Sequence, residues 1–128
     1  EASGGSMWGG IAKTGLSIAG AALLSDKSTK NNIEDIEGAL ATLRGLKPVT
    51  FYYNEEYACG EAYRQHHGFI AQEFQKAMPD ATYHDTRINK LTIDTSELIP
   101  LLVSAIHNLE SRITRMEAKN AIEMGARV

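Results

Sequence analysis

The sequence predicts an α+β fold: a small mixed domain of short helices and short strands, followed by one long C-terminal helix. Three observations predict it. Between residues 49 and 94, short β-branched and aromatic runs alternate with polar turns and one short helical pattern. From "DTSE" (94–97) onward, isoleucine and leucine recur at spacings of three and four without a miss as far as Met116. The length, 128 residues, suits one small domain with only a modest core of its own, which makes a self-association surface worth seeking.

In chain order, residues 1–24 are rich in glycine and small apolar side chains, and charge begins abruptly at Asp26. "EASGG" with Met7 behind a linker-like "GGS" reads as part of a longer protein rather than a natural start. Ile33, Ile36, Leu40 and Leu43 are spaced as a short amphipathic helix, which Gly45 ends and Pro48 keeps from continuing. "VTFYY" (49–53) reads as a strand, "NEEYACGE" as a polar turn, and "AYRQHHGFI" (62–70) as a second strand forming a hairpin with the first. "AQEFQKAM" (71–78) is a short helix stopped by Pro79, with Phe74, Ala77 and Met78 facing inward. "ATYHD" and "KLTID" are two further short strands.

"DTSE" is a capping-box pattern, in which Asp94 accepts from the backbone amide three residues on and Glu97 reaches back. The helix it opens is expected to run to about residue 122, with a local kink at Pro100. Ile99, Leu102, Ile106, Leu109, Ile113 and Met116 form an a/d heptad seam. Arg112 at g and Glu117 at e have the spacing of an interchain ion pair, and Asn120 falls at the next a position. A helix burying one stripe on its own domain is the alternative. The coiled coil is preferred because so small a domain cannot cover roughly 40 Å of helix. Isoleucine at a with leucine at d would by itself favour two strands, so the seam implies self-association without fixing the number of chains.

Composition narrows the function classes. A formal net charge of −3 leaves no basic excess to neutralise phosphates, so neither nucleic acid nor an anionic membrane is an expected partner. The single cysteine, Cys59, rules out an intrachain disulfide and suits a reducing compartment. His66, His67, His84 and His107 have no helical metal spacing among them or with Cys59, so no metal or other cofactor is expected. "GLSIAGAALL" (15–24) has the look of a signal-peptide core, with removal near Ala21 or Ala22, but reads better as the end of something upstream.

One short stretch, "LLSDKSTKNNIEDI" (23–36), holds Ser25 and Lys30 five residues apart. Ser25 is either a helix cap or a nucleophile with Lys30 as its base. Serine needs a neighbour to take its proton, and lysine can do so only where its ammonium is destabilised by burial. Five residues of α-helix separate two side chains by about 140°, so the pair can meet only if Ser25 precedes the helix and Lys30 folds back. Asp26 could hold such a turn by capping the helix after it. Spacing alone leaves both readings open.

Taken as a set and in order, "LSDKSTKNNIEDIEGALATLRGLKPVTFYY", "HHGFIAQEF…MPD" and "LTIDTSELIPLLVSAIHNLESRI" resemble the C-terminal intramolecular chaperone domains of phage tail fibres and tailspikes. These are endosialidase-type self-cleaving domains, with a related domain in the myelin regulatory factor proteins. The resemblance spans residues 24 to 117, and "GFIAQ" (68–72) and residues 98–106 match its most distinctive blocks. It implies a homotrimeric coiled-coil assembly that assists folding of the upstream fibre or β-helix segment of the same chain. That domain then cuts itself free before the serine of an S-D-x-x-x-K motif.

Carried over, Ser25 is the nucleophile, Lys30 the general base and the Leu24–Ser25 bond the cleavage site. His66 or His67 stands where an accessory histidine is implicated, and Gln72 matches a position expected to orient the site. Ile99, Leu102, Ile106, Leu109, Ile113 and Met116 become the trimerisation seam. The organisation implied is residues 1–24 as the end of the upstream protein, 25–94 as the self-cleaving domain and 95–128 as the trimerisation helix. The implied enzyme is a single-turnover serine endopeptidase acting in cis, in the host cytoplasm during virion assembly, or in the virion where the domain stays attached. The alternative is a non-cleaving trimerisation cap.

Overall fold

The computed structural model describes residues 24–126. They fall into two units divided between Asp35 and Ile36. The first is a short polar segment that carries Ser25 and Lys30. The second is the α+β body with its long helix.

The body begins with helix α1 (Ala39–Arg44), later than the apolar spacing predicts. Gly38 sits just before it at φ 66°, a left-handed conformation that glycine adopts without a Cβ clash. The turn it makes leaves Ile33 and Ile36 outside the helix and exposed. Gly45 ends α1 as expected, its amide bonded back to Leu43 and Thr42.

Strands β1 (Val49–Phe51) and β2 (His66–Gly68) form an antiparallel pair with Val49 opposite Gly68 and Phe51 opposite His66. Between them the polar stretch contains a single 3-10 turn, Glu55–Tyr57. Helix α2 (Ala71–Ala77) follows. Strands β3 (Thr82–Asp85) and β4 (Lys90–Ile93) make a second antiparallel pair, with Thr82 opposite Ile93. The β3–β4 turn is held by Asp85, whose carboxylate accepts from the Arg87 amide and guanidinium.

Helix α3 (Leu98–Ala126) is entered through a 3-10 turn, Thr95–Glu97, capped by Asp94. Asp94 is the cap residue expected, but the box is not the one the spacing predicts. Its carboxylate takes the Ser96 amide, two residues on, and its own amide donates to the Ala81 carbonyl at 2.8 Å instead of to Glu97. Pro100 lies in the first turn of α3, where an amide has no helical partner to lose, so it costs the helix little.

One residue anchors the core. Phe74 is 1% exposed and packs among Ala39, Ala81, Leu98, Leu101 and Ala105, with Phe69 tilted against it at 5.3 Å between ring centres. Met78, Leu40, Leu43, Leu46 and Ile93 close the edges. The body therefore buries the stripe Leu98, Leu101 and Ala105 of α3, which is the intrachain burial the sequence offers as the alternative, on a stripe distinct from the seam. The seam itself is left uncovered: Ile99, Leu102, Ile106, Leu109, Ile113 and Met116 are 42 to 63% exposed. Burying those six side chains elsewhere would stabilise an assembly by roughly 25 cal/mol for each Å² of apolar surface removed from water.

Candidate active site

The segment after Leu24 is ordered by its own polar side chains. Asp26, in extended backbone, caps a single 3-10 turn, Lys27–Thr29. Its Oδ1 accepts from the Ser28 amide at 2.8 Å and from the Ser28 hydroxyl at 2.6 Å. The Thr29 amide and hydroxyl both donate to the Asp26 carbonyl, at 3.0 and 2.6 Å. The bonds from Ser28, its hydroxyl first and its amide second, hold the Asp26 carboxyl below the ordinary carboxylate range. The chain then leaves the turn through Lys30, in extended conformation at φ −125° and ψ 155°. Asn32 follows at φ 48°, a left-handed position that asparagine tolerates.

This local geometry answers the question of the cap. Asp26 takes that role, and Ser25 lies ahead of the turn, outside it. Because the turn is tight and Lys30 exits it extended, the lysine side chain returns to Ser25, and Lys30 Nζ lies 2.6 Å from Ser25 Oγ. An α-helix from Ser25 onward would have kept the two apart. In the ammonium form lysine donates and the hydroxyl oxygen accepts. A neutral amine at the same distance could instead accept the hydroxyl proton, as a general base must. Leu24, Ser25 and Lys30 are all exposed in the single chain. Sequence spacing located the pair and the Asp26 cap; it passed over Ser28 and Thr29. The Asp-x-Ser-Thr order, which favours side-chain-to-backbone bonding, was the available signal.

The other sequence candidates lie in the body. His66 turns inward from β2 and stacks on Phe51 at 5.5 Å between ring centres, with Tyr53 edge-on at 5.0 Å. His67 is on the opposite face and exposed, beside a shallow groove lined by Pro48, Val49, Thr50 and Phe69. At Gly68 the hairpin is tight: a Cβ there would come within 3.2 Å of the Phe51 ring, which would have to shift by a few tenths of an ångström. Gln72 is exposed in the first turn of α2. Cys59 is exposed in a turn at φ 49°. Among the described residues no group of three or more His, Cys, Asp or Glu side chains is placed to hold a metal ion. Among them, too, no helix is long and apolar enough to cross a membrane. The signal-like stretch up to residue 23 lies outside the described residues.

Comparison with known proteins adds to this geometry. Residues 25–83 match a peptidase-class family model described as chaperone of endosialidase. The long tail fiber protein Gp37 of Enterobacteria phage K3 is 37% identical over 98 residues, which is 74% of this chain and 8% of that protein. The protein of the same name from Enterobacteria phage T2 is also 37% identical over 98 residues, 74% of this chain and 7% of its own length. The chain thus spans less than a tenth of either relative. The match to the family and the relatedness to two phage fibre proteins agree, and through residues 25–83 the chain belongs to the chaperone-of-endosialidase family.

Proposed function

We propose that this chain is an intramolecular chaperone that trimerises through α3, assists folding of an upstream tail-fibre or tailspike segment, and then cuts the Leu24–Ser25 bond. The observation that carries the cutting is the 2.6 Å approach of Lys30 Nζ to Ser25 Oγ. It is supported by a family match that opens at Ser25 itself. In this reading residues 1–24 are the end of the upstream protein, 25–94 the self-cleaving domain and 95–128 the trimerisation helix. The partners are two further copies and the upstream segment. The setting is phage tail-fibre assembly, in keeping with the names of the two relatives, and the compartment in this reading is the host cytoplasm.

The chemistry needs no bound substrate, since hydroxyl and carbonyl belong to adjacent residues. Lys30, as the neutral amine, takes the Ser25 hydroxyl proton while Oγ attacks the Leu24 carbonyl carbon. The C–N bond breaks, the proton passes to the departing Ser25 nitrogen, and Leu24 is left as an ester on Oγ. Water hydrolyses that ester, giving a Leu24 carboxylate and a Ser25 with free hydroxyl and free amine. Burying the pair against a neighbouring copy would favour the neutral amine, and so tie cutting to assembly.

The test is intact mass followed after folding. A fragment of 104 residues, 25–128, is expected to accumulate. Ser25→Ala should abolish it, and Lys30→Met should slow it by about 10²–10⁴-fold, both leaving assembly intact. Cleavage at full rate in Lys30→Met removes the dyad.

A second reading is favoured by the exposure of Ser25 and Lys30 in the single chain. The domain is then a trimerisation cap that stays attached. Persistent full-length mass in a normally assembled wild type selects it.

A further inference from the structure

The face of α3 that packs on the body does not end where the body does. The buried stripe Leu98, Leu101, Ala105 continues at the same spacing through Asn108 and Arg112 to Arg115. Alongside these runs α1, and Arg44 joins Asn108, Ser111, Arg112 and Arg115 in lining an open groove of about 560 Å³. Three guanidiniums therefore converge where no carboxylate meets them. Among the described residues none of the three forms an ion pair.

The seam lies beside this groove. At 100° per residue, Arg112 sits about 90° to one side of the seam's centre. Glu110 and Glu117 sit about 60° to the other side. Those two carboxylates also lack an ion-pair partner among the described residues. One flank of the uncovered seam is cationic and the other anionic.

We infer that the arginine groove receives the Glu110–Glu117 edge of a neighbouring copy's α3, and that this pairing selects parallel, in-register assembly. The inference rests on the proposed self-association through the seam. In a parallel arrangement the g flank of one helix faces the e flank of the next, one heptad on, so Arg112 meets Glu117 of the neighbouring copy. Arg44 and Arg115 keep the groove positive around it, and through Arg44 the body itself takes part. In an antiparallel arrangement groove would face groove and carboxylate would face carboxylate, a like-charge penalty that selects against that orientation.

The experiment is sedimentation equilibrium on the full chain at low salt, comparing wild type, Arg112→Glu, Glu117→Arg and the double variant. Each single reversal is expected to raise the dissociation concentration about tenfold or more. The double variant, with the pair restored in the opposite sense, is expected within about threefold of wild type. The differences should shrink in about 0.5 M salt. An unchanged circular dichroism spectrum is expected in all four proteins, since both side chains are exposed. A double variant no better than the singles overturns the inference, as do single variants that assemble like wild type. Saturable binding of inorganic pyrophosphate in the groove, with assembly indifferent to Arg112, also overturns it. A wild type monomeric at every concentration overturns it too, and takes the seam down with it.

Discussion

The segment before residue 36 and the body after it are held by opposite means. Among its described residues the segment buries nothing: its order comes from one carboxylate, two hydroxyls and a few amides closing a single turn. The body is held by apolar packing around Phe74, with no buried polar side chain among its described residues. Polar bonds exposed to water are individually worth little, because water competes for every one of them. A buried aromatic ring is worth several times more. The contrast teaches that local polar bonds alone can bring Lys30 Nζ to Ser25 Oγ while leaving both groups open to water. On the proposed function, the dry surroundings that would switch this pair on come from other copies.

The sharpest way to break the contrast is to remove its stronger half. Phe74→Ala should destabilise the body by about 3–5 kcal/mol, read by denaturant unfolding followed by far-ultraviolet dichroism. If cutting continued at its full rate in the unfolded variant, segment and body would be independent and the chaperone reading would lose its coupling. Next in size, Ile106→Asp with Ile113→Asp should weaken assembly by at least about a hundredfold while leaving the monomer's unfolding midpoint nearly unchanged. Both residues are exposed in the single chain, so a large fall in monomer stability would mean that α3 packs differently.

Within the segment, Asp26→Ala removes the cap and should slow cutting by about tenfold to a hundredfold, with assembly untouched. The lowered Asp26 value sets the sign with pH. Its contribution is present above the ordinary carboxylate range and is lost as pH falls through the lowered value. The smallest effect belongs to the β3–β4 turn. Hydrogen bonds from Arg87 hold the Asp85 carboxyl at about 2, so its contribution is complete above about pH 4 and gone below about pH 2. Asp85→Asn should lower the unfolding midpoint slightly at neutral pH and match wild type at about pH 2. A variant still less stable than wild type at that pH would point to packing and not charge.

Much of this was legible in the residues, for identifiable reasons. Both strand pairs and α2 announce themselves through side-chain type and through Pro79, since those signals are local, although the strands read over 49–53 and 62–70 pair only across Val49–Phe51 and His66–Gly68. The start of α1 did not, because the apolar spacing of Ile33 and Ile36 fits a helix that Gly38 then refuses. The stripe Leu98, Leu101, Ala105 was present at helical spacing beside a more conspicuous heptad seam. Which stripe meets the body depends on tertiary packing, and no local pattern decides that. At the site, the need for Ser25 to stand outside the helix follows from the angle per residue alone. That a 3-10 turn would do the folding back depends on the Asp26, Ser28 and Thr29 hydrogen bonds, whose strength is not readable from spacing.

The short distance between Lys30 Nζ and Ser25 Oγ has one more consequence. A cut ahead of Ser25 would turn an uncharged amide nitrogen into a chain-terminal ammonium, on the same residue whose oxygen the lysine touches. Two cations would then compete for one small neighbourhood, with the Asp26 carboxylate already engaged. The lysine would be driven outward, and the used site would dismantle itself. Resealing the chain would require bringing those charges back together, so the event would run one way.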